Sequence, residues 1–137
     1  MQRKKFISAA FLAMGSLNAL SESFSSTEVE EPSKVKIPPY LIKGDTIAIC
    51  SPAGFITLSD CAVAINMIES WGFKIKVGSS IGKKDFTFGG TDEERAADFQ
   101  QMLDDTSINA IMCARGGYGI VRIIDKLNFA NFIKKPK

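Results

Sequence analysis

The sequence predicts an α/β fold in which helices flank a parallel sheet. Short apolar segments rich in β-branched residues alternate with amphipathic segments of helical spacing, in the order β-α-β-α-β-α. The helical segments are long enough to cross over a sheet, and strands joined in this way run parallel. Ligands of such sheets bind beyond the carboxyl ends of the strands, so the loops that follow the strands are the first places to look for a site.

The first strand is predicted over residues 46–50 (TIAIC), directly after a Lys-Gly-Asp turn signal. Ser59 is the predicted N-cap of the following helix, and Gly72 is predicted to end it. The apolar face of this helix is predicted to carry Ala62, Ile65, Ile68 and Trp71.

The second strand is predicted over residues 73–77, where apolar and basic residues alternate. Thr91 and Glu94 have the spacing of a capping box and predict the start of the second helix. An apolar run at residues 108–114 predicts a buried third strand, and residues 119–127 have the spacing of a third helix.

Composition excludes several function classes. The chain has 137 residues, enough for one small domain, and its net charge of +2 comes partly from basic residues at its two ends. The middle has no basic excess, so no nucleic-acid partner is expected. The absence of histidine excludes a Ser-His or Cys-His nucleophile and a histidine metal site within this chain, and we expect neither a metal nor a cofactor.

The three cysteines are Cys50, Cys61 and Cys113. Their odd number and the absence of a CxxC spacing argue against a disulfide framework, so they are predicted to be small buried hydrophobic residues. Cys113 precedes a glycine-rich segment, which leaves a reactive thiol as an alternative, although such a thiol would need an activating base.

The N-terminus has the pattern of a signal peptide. A basic stretch precedes an apolar segment at residues 6–20 that is short for a membrane span, and small residues follow it. We expect a signal peptide over residues 1–23, a disordered linker over 24–36, and a folded domain over 37–137. Export to the periplasm is the expectation, and an uncleaved segment that tethers the chain to the membrane is the alternative.

The glycine-rich segment after the third strand is the strongest candidate site. Gly116 and Gly117 would let bare backbone N–H groups approach an anion or a developing oxyanion, and Arg115 could bind a carboxylate. The segment matches neither GxGxxG nor a P-loop, and a tight turn with a solvated arginine is the alternative. Tyr118 is included in the candidate binding loop, although a packed ring fits it better than a catalytic acid.

A second loop, Ser51, Pro52 and Ala53, follows the first strand. In a parallel sheet its position brings it to the same edge as the glycine-rich segment, so it is a possible active-site loop. The alternative is a Ser-Pro pair that caps a turn.

Several motifs, in order, resemble those of the LD-carboxypeptidases over about residues 37–137. The resemblance is strongest at residues 110–119 (AIMCARGGYG) with Arg122. The other matching segments are residues 38–41 (PPYL), 43–49 (KGDTIAI), 51–54 (SPAG) and 90–95 (GTDEER) with Asp98.

This resemblance implies a Rossmann-like N-terminal domain, similar to class I glutamine amidotransferases. It implies a serine peptidase that uses Ser, Glu and His without a metal and releases a terminal D-amino acid, typically D-alanine, from a murein tetrapeptide. It also implies that Gly116 and Gly117 help to form the oxyanion hole.

The family's serine lies in a Gly-aromatic-Ser-Asp turn that comes after a segment like residues 134–137, and its Glu and His lie in a C-terminal domain. We therefore expect a truncated domain with no catalytic residue in this chain, inactive alone, whose C-terminal half is encoded separately or has been lost. An exposed third strand would also allow a homodimer. The alternatives are a non-catalytic secreted module that binds peptide carboxylates, and a flavodoxin-like nucleotide binder, which lacks its phosphate fingerprint here.

Overall fold

A computed structural model describes residues 35–137. The predicted signal peptide and most of the predicted linker lie outside these residues. No helix in the described part is long and apolar enough to span a membrane. The elements are β1 (Thr46–Cys50), α1 (Leu58–Ser70), β2 (Lys74–Val77), α2 (Asp92–Asp104), β3 (Ala110–Cys113) and α3 (Ala130–Lys134), with two 3₁₀ helices, Tyr118–Arg122 and Ile124–Lys126, between β3 and α3.

The three strands form a parallel sheet in the order β2-β1-β3, which confirms the predicted fold class. Ile47 of β1 pairs with Ile75 of β2 on one side and with Ala110 of β3 on the other. The central strand is therefore the buried one, and within residues 35–137 β3 has a strand partner on one side only.

Helices cover both faces of β1 because its side chains alternate between the two faces. Ile47 and Ile49 pack against Ile68 of α1. Ala48 packs on the opposite face against Met102 of α2. This doubly wound arrangement is the one that crossover connections between parallel strands produce.

The prediction that Ser59 caps α1 is wrong. The N-cap is Thr57, whose Oγ1 accepts the N–H of Asp60 at 3.2 Å, while the Asp60 carboxylate accepts the N–H of Thr57 at 3.1 Å. This reciprocal pair satisfies two helix-terminal N–H groups, which a cap at Ser59 would leave open. The buried residues of α1 are Cys61 and Ile68, whereas the expected face residues Ala62 and Trp71 are exposed.

The capping box predicted for α2 is confirmed. Thr91 Oγ1 accepts the N–H of Glu94 at 3.2 Å, and Glu94 Oε2 accepts the N–H of Thr91 at 3.0 Å. The buried face of α2 also holds two charged side chains, Arg95 and Asp98, which the apolar pattern did not predict.

The third helix predicted over residues 119–127 is instead the pair of 3₁₀ helices. In an α-helix the carbonyl of Gly119 would accept the N–H of Ile123. That carbonyl accepts a hydrogen bond from Arg95 Nη1 at 2.8 Å, and the N–H of Ile123 donates to Ile120 at 3.0 Å. The segment thus closes an i→i+3 hydrogen bond in place of the α-helical one, and a tertiary contact holds the Gly119 carbonyl.

Cys50 and Cys61 are buried, as predicted, but Cys113 is exposed, so the prediction of a buried thiol is wrong at that position. Cys113 is the last residue of β3 and lies at the edge of the sheet in the described part. An edge position leaves one side of the strand without a neighbour to cover it.

Candidate functional site

The loops that follow β1 and β3 meet at the point where the strand order reverses. From β1, the chain continues on one side to β2 and returns on the other side as β3. The two loops that leave β1 and β3 therefore diverge around a crevice, and ligands of open α/β sheets bind in such a crevice. Both loops that the sequence singled out lie there.

The glycine loop, residues 115–119, presents an open backbone. Arg115, Gly116, Gly117 and Tyr118 are all exposed. A methyl group added at Gly116 would meet no atom within 4 Å, whereas Gly117 has a φ of +144°, a conformation that favours glycine. The predicted binding residues thus border space that a ligand can enter.

The N–H groups of this loop are available to a ligand. Among the hydrogen bonds of residues 35–137, neither the N–H of Gly116 nor that of Gly117 is a donor. Two adjacent backbone donors without a partner in the described residues can bind an anionic oxygen.

The loop after β1 has its side chains turned inward. Ser51 and Ala53 are 0% and 2% exposed, and Pro52 is also buried. The Ser51 hydroxyl donates to the carbonyl of Gly54, and the N–H of Ser51 donates to Ser80 Oγ at 2.7 Å. The hydroxyl thus stabilises a turn within its own loop, which is the alternative that the sequence left open. These three residues therefore present almost no accessible surface to a ligand.

Arg115 spans the two loops. Its Nη1 donates to the carbonyl of Phe55 at 3.3 Å, and this is the hydrogen bond that its guanidinium makes within residues 35–137. A Cβ at Gly54 would lie 3.2 Å from Cγ and Cδ of Arg115, so the arginine stem packs directly on that glycine. The guanidinium retains further donors for a carboxylate.

Arg95 of α2 donates hydrogen bonds to both loops from the protein interior. It is 0% exposed. Its Nη1 donates to the carbonyls of Pro52 at 2.5 Å and Gly119 at 2.8 Å, and its Nε donates to that of Gly90 at 3.1 Å. Its Nη2 donates to Asp92, so the buried charge is paired. One side chain thus fixes the loop after β1, the glycine loop and the start of α2.

Phe88 supports the same cluster. The Cζ atoms of Arg95 and Arg122 lie 4.9 and 5.3 Å from the centre of its ring. The Tyr118 ring meets it edge-on with centroids 5.3 Å apart, although Tyr118 remains largely exposed. Apart from this edge contact Tyr118 is 71% exposed, so the structure does not show the packed ring that the sequence favoured.

Asp92 accepts from both arginines. Arg122 Nε lies 3.0 Å from each of its carboxylate oxygens. These hydrogen bonds, more than the charges of Arg122 and Arg95, hold the pKa of Asp92 below its usual value. The carboxylate therefore stays ionised and keeps both cations in place.

Asp98 organises the loop after β2. It is 2% exposed and accepts hydrogen bonds from the N–H groups of Ser79 at 2.8 Å and Ser80 at 3.0 Å, and from Ser80 Oγ at 2.5 Å. Ser80 Oγ in turn accepts the N–H of Ser51, which extends the network to the loop after β1. Asp98 and Arg95 thus secure all three strand-end loops.

The roles of Arg95 and Asp98 were not identified from the sequence, although both lie in motifs that carried the resemblance. A signal was present. The two charges are three residues apart on a helix, and the same face carries buried Met102. Charged residues on a buried face must be paired, so their position indicates an internal network.

Within residues 35–137, no group of three His, Cys, Asp or Glu side chains is arranged to hold a metal ion.

A family model described as the LD-carboxypeptidase N-terminal domain matches residues 47–137. The chain belongs to this family. The resemblance inferred from the motifs is confirmed.

The similar proteins include carboxypeptidases of murein peptides. The "Probable murein peptide carboxypeptidase" of Bacillus subtilis (strain 168) is 33% identical over 100 residues, which are 73% of this chain and 31% of the relative. The microcin C7 self-immunity protein MccF of Escherichia coli is 31% identical over 71% of this chain and 29% of the relative. The chain thus spans about a third of the length of the curated relatives it matches.

Solved structures of the family share the fold. MccF in complex with aspartyl sulfamoyl adenosine superposes with a TM-score of 0.67 at 29% identity, over 75% of this chain and 32% of that one. The muramoyltetrapeptide carboxypeptidase of Oxalobacter formigenes gives a TM-score of 0.57 at 28% identity, over 65% of this chain and 30% of that one.

Proposed function

We propose that this chain is the N-terminal part of a serine-type LD-carboxypeptidase that releases the terminal D-alanine of murein tetrapeptides. In this proposal the glycine loop binds either the oxyanion of the scissile bond or the terminal carboxylate of the substrate. The observation that carries the proposal is the pair of open glycine N–H groups beside Arg115 at the reversal of strand order. Family membership supplies the reaction class.

The charge around the loop suits a carboxylate. Arg115 Nη1 donates to the carbonyl of Phe55, and Lys84 Nζ lies 5.2 Å from the centre of the Phe55 ring. Two cations therefore lie beside Phe55, in the segment that follows β1. Asp60 is the nearby opposite charge. Its pKa is held below the usual value by hydrogen bonds from Thr57 and, to a smaller extent, by Arg115. Asp60 makes no ion pair with Arg115 among residues 35–137, so the guanidinium remains free for a substrate carboxylate.

We further propose that hydrolysis needs residues outside this chain. Ser51 is buried and bonded within its own turn, and the chain contains no histidine to act as a base. Without a nucleophile and base, an oxyanion site leaves only residual catalysis. In this proposal they lie in the part of the curated relatives that this sequence does not match. The basic and apolar N-terminus supports export to the compartment where murein is processed.

The first experiment measures D-alanine release from a murein tetrapeptide. The full chain is assayed alone and after mixing with the polypeptide encoded directly downstream. Release only on mixing is the expected result for a split enzyme. Release by the chain alone would overturn the proposal, because it would require a base that is not histidine.

The second experiment measures tetrapeptide affinity by NMR titration of the full chain. Arg115→Ala should weaken binding about tenfold, since a charge-assisted hydrogen bond to a carboxylate is lost. Lys74→Ala is the matched control, because it removes an exposed cation at the start of β2, at the opposite end of the strand from the loops of the candidate site. Equal affinities of the two variants would contradict the assignment of Arg115.

A non-catalytic module that binds peptide carboxylates is the second candidate, because the guanidinium of exposed Arg115 has donors left over after its bond to Phe55 and could hold a carboxylate without hydrolysis. Tight tetrapeptide binding without D-alanine release, even on mixing, would select this candidate. Aspartyl sulfamoyl adenosine, found with MccF, serves as a competing probe. Preferential binding of that probe would shift the proposed substrate from murein peptides to aminoacyl nucleotides.

A further inference from the structure

Two of the three cysteines are neighbours on adjacent strands. Cys50 ends β1, Cys113 ends β3, and the parallel register pairs them directly. Neighbouring strands lie about 4.8 Å apart. This separation falls within the range of about 4.4–6.8 Å between Cα atoms that a disulfide spans.

The two thiols lie on the same face of the sheet. Residues paired in register project to the same side, and Cys50 shares its side with Ala48, which packs against α2. Cys61 belongs to α1, which packs on the opposite face through Ile68. The register therefore pairs Cys50 with Cys113, while Cys61 borders the same small cavity as Cys113 from α1.

The two thiols differ in their surroundings. Cys50 is 1% exposed, whereas Cys113 is exposed at the sheet edge. A hydrogen bond from the Cys50 thiol lowers the pKa of Cys113 to about 7, because it stabilises the thiolate. The same contact, together with burial and the nearby charge of Asp98, raises the pKa of Cys50. Cys113 is thus the nucleophile and Cys50 the buried partner.

We infer that Cys50 and Cys113 form a redox-active dithiol that low-molecular-weight disulfides convert reversibly into a cross-strand disulfide. The Cys113 thiolate attacks one sulfur of the oxidant, breaks its S–S bond and releases one thiolate. Cys50 then loses its proton and attacks Cys113 in the mixed disulfide, which releases the second thiol. The protein loses two electrons and two protons, and the oxidant becomes two thiols.

The bond would act on both loops of the candidate site. Ser51 follows Cys50 directly, and Ala114 and Arg115 follow Cys113. A disulfide would fix the separation of the two strand ends from which these loops leave. The inference does not depend on the substrate, so it stands or fails separately from the proposed function.

The test equilibrates the full chain with mixtures of reduced and oxidised glutathione, followed by alkylation and chymotryptic mass mapping. Cleavage after Phe55 separates Cys50 from Cys61, so the unmodified chain reports which thiols are joined. The expected product is a linked pair of peptides containing Cys50 and Cys113, with Cys61 alkylated and the link reversed by dithiothreitol. Glutathionylation of Cys113 without a link, a link to Cys61, or a link between two chains would overturn the inference.

Two variants serve as controls. Cys50→Ala removes the resolving thiol and should trap the glutathione mixed disulfide on Cys113. Cys61→Ala should leave the link unchanged. Failure of Cys50→Ala to trap glutathione on Cys113 would contradict the order of the two steps, and the mapping of the unmodified chain decides the pairing whether or not the variants fold.

Discussion

Arg95→Met removes the guanidinium that joins the two site loops while keeping much of the side-chain volume. The change leaves the carbonyls of Pro52 and Gly90 without the donor they have here and takes the Arg95 donor from the carbonyl of Gly119, and all three residues are buried. Asp92 keeps its hydrogen bonds to Arg122, so its charge is not left unpaired.

The size of the effect follows from these orphaned acceptors. Each buried polar group left unsatisfied costs about 1–3 kcal/mol. Relaxation and water entry reduce a simple sum, and removing one partner of a buried pair typically destabilises a protein by about 3–5 kcal/mol. A domain of this size has a total stability of about 5–15 kcal/mol. We therefore expect Arg95→Met to lower the free energy of unfolding by about 3–5 kcal/mol.

The assay is urea unfolding followed by far-UV circular dichroism and by fluorescence of Trp71, the single tryptophan. Arg122→Met is the matched control, because it removes an exposed arginine that contacts the same Asp92 and Phe88. It should change the urea midpoint little. Equal midpoints for the two variants would refute the assignment of Arg95 as the residue that holds the loops. Arg95→Lys should recover little stability, since an ammonium cannot reproduce the planar fork of donors.

Two further predictions concern substitutions in the glycine loop and the loss of stability at low pH. Gly119→Ala should lower the free energy of unfolding by about 1–3 kcal/mol, because the added Cβ would lie 2.9 Å from Phe88. Gly116→Ala adds a Cβ with no atom within 4 Å. It should therefore leave the thermal midpoint unchanged and weaken tetrapeptide binding. Equal midpoints for the two variants would contradict this. Hydrogen bonding to Lys76 depresses the pKa of Asp105 below 3.8, so its stabilisation is present above pH 3.8 and is lost as pH falls further. The thermal midpoint, measured from pH 7 to pH 2, should fall at acid pH because this stabilisation is lost. In Asp105→Asn the fall should be smaller. An equal fall in both proteins would contradict the stabilising role of the Lys76–Asp105 pair.

The elements that depend on local pattern were predicted well. The first strand matches residue for residue, and Thr91 caps α2 as expected. The errors arose where two local signals competed or a distant residue intervened. Thr57, with Asp60 three residues on, formed the capping box in place of Ser59. Arg95, from a distant part of the chain, hydrogen-bonds the Gly119 carbonyl where 3₁₀ helices replace the helix expected over residues 119–127.

In the candidate site, too, the features set by local sequence were predicted and those set by distant residues were not. The glycine loop was found from its composition and its place after a strand, and its backbone is open as expected. The loop after β1 was found by position, but its inward orientation depends on Ser80, 29 residues away in the chain. Arg95 and Asp98 were visible as residues of a motif, while their partners were not.

The sequence by itself determined the order of elements, the family and the open glycine loop, because these depend on side-chain periodicity, turn residues and short motifs. Only the tertiary structure decided which residues from distant parts of the chain are in contact. It placed Arg95 against carbonyls of two separate loops and set Cys113 beside Cys50 across the sheet. Strand register and burial are fixed by packing between distant segments, which no local pattern in the chain records.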